Sequence, residues 1–166
     1  MKNFSFAKIL IFITIIFLAG TNIYAQEDKK FAVSIGPEFN MNSRVNFAGG
    51  MVLGFDYNFP SVPLALGINA GGSYNFSQTV VMEAAPFLRW YFLGTGHAGL
   101  FVQIDAGFYY IMEDINSNDI GRYPMALGGL RAGYRLPLGS LFFIEPFIRG
   151  GYPFVFGTGL TAGIRF

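Results

Sequence analysis

From Phe31 to Phe166 the chain alternates between apolar and polar residues with a period of two, and its charges keep the same period. Eight runs carry the pattern, near 31–40, 44–58, 64–75, 79–92, 98–110, 123–136, 141–151 and 157–166. In 44–58 one parity reads Val45, Phe47, Gly49, Met51, Leu53, Phe55 and Tyr57. The other reads Asn46, Ala48, Gly50, Val52, Gly54, Asp56 and Asn58. Run 98–110 separates the same way, with Leu100, Val102, Ile104 and Phe108 against Phe101, Gln103, Asp105 and Tyr109. Successive side chains of a strand point to opposite faces, so alternation of this length specifies strands with one apolar and one polar face.

The charges decide which face points inward. Glu38, Asp56, Glu83, Arg89, Asp105, Arg131, Arg135, Glu145, Arg149 and Arg165 all lie on the polar parity, five acids against five bases. The apolar parity carries no charge at the strand centres. The rest of the polar parity is rich in Gly, Ala and Ser, which suit a narrow lumen. A soluble sandwich or lipocalin-like barrel would need a solvated outer face rich in Lys and Glu, yet only 13% of the chain is charged and 52% is hydrophobic. Turning the apolar parity toward lipid resolves the conflict, since Arg or Lys facing lipid at mid-bilayer costs about 2–4 kcal/mol. Closure also removes sheet edges that lipid cannot satisfy. The expected fold is all-β, an eight-stranded antiparallel transmembrane up-and-down barrel.

Residues 1–25 read as a cleaved secretory signal peptide. Lys2 and Lys8 form a positive leader, Ile9–Leu18 is an apolar stretch within the usual length of about 7–15 residues, and Ile23-Tyr24-Ala25 offers a processing site. The barrel domain then occupies 26–166. With residue 26 in the periplasm, the turns 59–63, 94–97 and 137–140 fall on that side, and 41–43, 76–78, 112–122 and 152–156 on the other. Short periplasmic turns facing longer outer loops are a barrel habit. Pro86 and Pro146 fall inside strands on the lipid parity, where bulges or loosened pairing are expected, because proline cannot donate to a ladder. Aromatic residues gather near the strand ends: Tyr57, Trp90 and Phe142 toward one rim, Phe39, Tyr74 and Tyr152 toward the other. Interfacial belts favour such rings.

Signal peptide, eight alternating strands and the terminal Phe166 together resemble the small eight-stranded outer-membrane barrels of diderm bacteria, of the OmpA-barrel, OmpX and OmpW kind. The last run, Gly159 to Phe166, is similar to the C-terminal signal read by the outer-membrane assembly machinery, with Ile164 and the final Phe166 as its apolar positions. Thr161 stands where the fuller pattern has Gly. The resemblance implies a bacterial outer-membrane location with both termini in the periplasm. It implies outer-membrane lipid and the assembly machinery as partners. It also implies a structural or surface-interaction role, with a narrow transport pathway for a small or apolar solute as the OmpW-like alternative.

Other chemistry is sparse. The absence of Cys removes disulfides, thiolate metal sites and a cysteine nucleophile. A net charge of +1 gives no electrostatic case for nucleic acid. Gly94–Gly99 matches G-x-G-x-x-G, but a strand follows where a dinucleotide site needs a helix. His97, the only histidine, falls in a turn away from any paired nucleophile, so no enzyme activity is expected. Asp114, Asn116 and Asn118 in loop 112–122 resemble the start of a calcium loop, but Asp119 replaces its Gly and Met125 its Glu. No cofactor or metal is expected, and that loop is the candidate for an extracellular ligand.

The lumen is where the charges must act. Eight strands enclose an interior just wide enough for side chains to fill, and an isolated buried charge is too costly to persist. The spacing predicts an ion-pair network joining Asp105, Arg131, Arg135 and Glu145, extended by Glu83, Arg89 and Arg149. The segments Glu83–Arg89 and Glu145–Arg149 echo one another, each placing Pro-Phe and an aliphatic residue before its arginine.

Overall fold

The computed structural model describes residues 29–42, 46–75, 79–93, 97–112 and 124–166. The expected signal peptide, most of loop 112–122 and Gly94–Gly96 of the glycine motif lie outside the described residues.

Eight strands follow one another in chain order: β1 (Phe31–Asn42), β2 (Asn46–Asn58), β3 (Leu64–Tyr74), β4 (Val80–Leu93), β5 (Gly99–Met112), β6 (Pro124–Leu138), β7 (Phe142–Tyr152) and β8 (Phe154–Arg165). Each pairs antiparallel with its neighbours, and β8 returns to β1 to close the barrel. The closing seam is pinned at its end by reciprocal backbone bonds, Phe31 N–H to Phe166 O at 3.0 Å and Phe166 N–H to Phe31 O at 2.9 Å.

The two parities separate as the alternation requires. Along β4, Val81, Glu83, Ala85, Phe87, Arg89 and Tyr91 are buried, while Met82, Leu88 and Trp90 between them are exposed. The outer surface is a continuous apolar band, and all ten charges of the polar parity are buried inside. Closure is what makes this arrangement possible, because every strand finds a neighbour on both sides and no edge faces lipid.

The strand bounds match the expected runs to within a few residues, with one larger departure. β8 begins at Phe154, not near 157, so the expected loop 152–156 is shorter. The first residues of β8 pair with β1, as in Asn42↔Phe154, whereas the β7–β8 ladder extends only to Arg149↔Gly157. A partner on one side is enough to hold those residues extended.

The prolines loosen the ladder without shifting it. Pairing lapses on β4–β5 between Ala84↔Phe108 and Phe87↔Asp105, at Pro86. It lapses on β6–β7 between Gly133↔Phe147 and Leu136↔Ile144, at Pro146. Pro37 does the same on the seam, between Ile35↔Ala162 and Glu38↔Gly159. The register resumes unchanged after each lapse, so no residue is inserted and no bulge forms. A missing N–H removes one bond and leaves the neighbouring pairs in place.

A narrow barrel must still find room for large inward rings. Phe87, Phe101 and Phe147 each lie directly opposite a glycine of the next strand, in the pairs Gly67↔Phe87, Phe101↔Gly133 and Phe147↔Gly159. A Cβ built at Gly67, Gly133 or Gly159 would come within 2.5, 2.6 and 2.5 Å of those rings. Gly163 makes the same cradle for Phe143. The rings cover the bare backbone, which strengthens a strand where glycine alone would weaken it.

Candidate functional site

The lumen holds the chemistry of this chain, and the pleat builds it. Residues two apart share a face, so Phe87 and Arg89, Phe143 and Glu145, and Phe147 and Arg149 enter the interior together. The charged groups gather in two tiers, one nearer the end where the termini lie and one nearer the distal mouth.

In the first tier Arg135 on β6 is fully buried, at 0% exposure. It forms a bidentate pair with Asp56 on β2, Nη2 to Oδ2 at 2.7 Å and Nη1 to Oδ1 at 3.2 Å. Its Nε donates to Glu145 on β7. Arg89 on β4 donates to the same Glu145 oxygen at 2.7 Å, and to Gln103 through Nε at 2.9 Å and Nη2 at 2.7 Å. Gln103 passes the chain on to Asp105 at 2.6 Å, and Asn69 donates to Asp105 at 3.3 Å. Asn58 donates to Asp56 at 2.9 Å.

In the second tier Arg149 on β7 forms a bidentate pair with Glu83 on β4, and its Nη1 also reaches Glu38 on β1 at 3.5 Å. Asn40 donates to Glu38 at 2.7 Å. The echoing segments therefore exchange partners. Glu83 binds the arginine of the second segment, and Glu145 binds the arginine of the first.

The arginines also lie over aromatic faces. Arg89 stands 4.0 Å from the Phe101 ring centre, Arg135 4.3 Å from Phe143 and Arg131 4.1 Å from Phe147. Each of those rings covers a glycine. This stacked arrangement recurs three times and holds the guanidinium groups in place within an apolar wall. Cation–π attraction is strongest where such groups are desolvated.

Four of the seven lumen residues expected from sequence, Glu83, Arg89, Glu145 and Arg149, meet in cross-lumen ion pairs, and Arg135 joins them. The other two are placed differently. Asp105 bonds to Gln103 and Asn69, and to no arginine among the described residues. Arg131 lies opposite Arg149 in the register, no carboxylate among the described residues approaches it within ion-pair distance, and its Nε is buried without a hydrogen-bond partner among them. Diagonal reach on one face did not produce the pair: Gln103 stands directly opposite Arg131 and bonds Oδ1 of Asp105. Asp56 and Glu38 complete the pairs and lay outside the expected network. Their partners sit on strands far away in sequence, which local spacing does not reveal. The aromatic bed could have been found, since Phe87, Phe101, Phe143 and Phe147 all fall on the charged parity.

The remaining expected residues lie at the barrel ends. Ile164 faces outward, and Phe166 is 57% exposed with its ring 6.0 Å from that of Phe31 across the seam. His97 sits in the turn before β5 at a left-handed φ of 57°. Its Nε2–H donates to the Val62 carbonyl at 3.1 Å, and its ring meets the edge of Tyr91. Burial lowers the imidazole pKa below its ordinary value, against the opposing pull of the Val62 carbonyl. Met125, at the place of the calcium-loop glutamate, accepts a bond from Tyr109 through sulfur at 3.3 Å. Among the described residues, no group of three or more His, Asp or Glu could hold a metal.

An apolar exterior around a charged interior in a closed eight-stranded sheet defines a barrel of the transmembrane type. Solved outer-membrane barrels share the fold. The N-terminal β-barrel domain of Pseudomonas aeruginosa OprF is similar at a TM-score of 0.55 and 22% identity, covering 81% of this chain and 97% of that one. Neisserial surface protein A is similar at a TM-score of 0.59 and 12% identity, over 81% of this chain and 95% of that one. No family model and no curated protein matches the sequence. The chain has the fold of the small eight-stranded outer-membrane barrels.

Proposed function

We propose that this protein is an integral barrel of the bacterial outer membrane whose lumen is plugged, and whose role is structural or one of surface interaction. One observation carries the reading: three ion pairs run across the lumen, between strands that are not neighbours. Arg135 on β6 holds Asp56 on β2, Arg89 on β4 holds Glu145 on β7, and Arg149 on β7 holds Glu83 on β4. None of these strand pairs is adjacent in the sheet. Bridges of this kind fill the cross-section, and breaking one strands a buried charge. Both termini face the periplasm in this reading, which places the long 112–122 connection outside the cell as the surface for a ligand. Phe166 and Ile164 serve insertion by the assembly machinery.

Purified protein in planar bilayers tests the plug. No steady conductance is expected. A large, stable conductance overturns the plugged reading in favour of a transport pathway. Intact-mass analysis tests secretion: the mature chain is expected to begin at or near Gln26, and retention of Met1–Ala25 overturns the signal-peptide reading.

A further inference from the structure

Beyond the ion pairs, an apolar cluster occupies inward positions toward the distal mouth. Val81 on β4, Tyr109 and Ile111 on β5, Leu127 on β6 and Phe154 on β8 are all buried and form one apolar cluster with Ala85. Met125 packs against it. These are inward positions. The cluster draws on β4, β5, β6 and β8, and β4 and β8 lie half a circuit apart in the closed sheet, so it reaches across the lumen. The Arg149 guanidinium lies 4.6 Å from the Phe154 ring centre, which places the Glu83–Arg149 pair against this apolar layer. The Tyr109 hydroxyl is turned to Met125 and Tyr152.

We infer that this cluster is a second barrier, a hydrophobic seal that excludes ions and charged solutes from the distal mouth independently of the ion pairs. The inference rests on the plugged-barrel reading and adds a division of labour to it. An apolar constriction blocks ions because water leaves it and an unpaired charge cannot enter it cheaply. The polar tiers alone are a weaker barrier to small ions, since charged and amide groups can rearrange around an ion that carries its own hydration. A seal at the mouth also keeps bulk water from the buried pairs, which strengthens their attraction.

The chain has no cysteine, so one introduced thiol reports access. Asn69→Cys places it at a buried, inward position opposite Ala85, at the inner edge of the cluster. A charged thiol reagent is added to the refolded barrel with the seal intact, and to the same barrel carrying Leu127→Ser and Phe154→Ser. Heat-modifiable gel migration shows that each is folded; if the double substitution prevents folding, Leu127→Ser alone is read in the same way. Labelling is expected to be slow with the seal intact and at least about tenfold faster without it, as for a dewetted constriction made polar. Fast labelling of the intact barrel overturns the seal, and so does equally slow labelling of both. Wild-type conductance in the bilayer distinguishes the two readings: a silent barrel with fast labelling loses the seal but keeps the plug, and a conducting barrel loses the plug.

Discussion

The Glu145 carboxylate on β7 and the Arg89 guanidinium on β4 meet across the lumen at 2.7 Å, with both side chains almost wholly buried. The same carboxylate oxygen receives Arg135, so one acid holds two arginines from separate strands. Its removal strands positive charge in the interior. Glu145→Ala is expected to destabilise the barrel by about 3–5 kcal/mol. Urea unfolding followed by the fluorescence of Trp90, the single tryptophan, measures this. A loss below about 1 kcal/mol, the size of a solvent-screened surface pair, would contradict the buried-pair reading.

Arg131 predicts the opposite outcome. It is as buried as its neighbours, at 4% exposure, yet no carboxylate among the described residues pairs with it and it faces Arg149. Removing a buried charge that lacks an ion-pair partner relieves a desolvation cost. Arg131→Met is expected to leave stability unchanged or raise it, whereas Arg135→Met lowers it. Unfolding midpoints of the two variants under identical conditions decide the matter.

Gly159 and Gly72 separate close approach from open space. A Cβ at Gly159 would sit 2.5 Å from the Phe147 ring and 2.7 Å from the Pro37 carbonyl oxygen, while one at Gly72 meets nothing within 4 Å. Gly159→Ala is expected to cost about 1–3 kcal/mol through overpacking. Gly72→Ala should be neutral or slightly stabilising, because alanine loses less backbone freedom on folding than glycine. Equal effects at the two positions would refute the cradle.

Phe166 closes the seam from outside. Its backbone bonds Phe31 in both directions, and its ring packs on that of Phe31. Deleting it should lower the yield of inserted, heat-modifiable protein while secretion continues. Undiminished insertion would remove both its seam role and its role as an assembly signal.

His97 gives a pH dependence of known sign. Burial lowers its folded-state pKa, so as pH falls the unfolded chain takes up the proton first. The stabilising contribution is complete above the unfolded value of about 6.5 and fades as pH falls below it toward the folded value. NMR titration of this single imidazole should give a midpoint below that of a free histidine; a midpoint at or above it would contradict the turn geometry.

Most of the fold was legible in the sequence because a strand has a period of two and lipid tolerates no charge. Ten charges on one parity, from Glu38 to Arg165, determined which face turns inward, and with it the closed barrel. The alternation located the eight strands, and the run from Gly159 to Phe166 located the closing one. Pairing inside the lumen was decided only by closure. Glu83 and Arg149 stand 66 residues apart, and Arg135 and Asp56 79, so no local spacing encodes their meeting. The curvature of the sheet brings β2 opposite β6 and β4 within reach of β7. Asp105 and Arg131 stand in diagonal register on neighbouring strands, as sequence spacing places them, but Gln103 bonds the Asp105 carboxylate. Charge parity is a property of each strand alone, and ion pairing is a property of the closed cylinder.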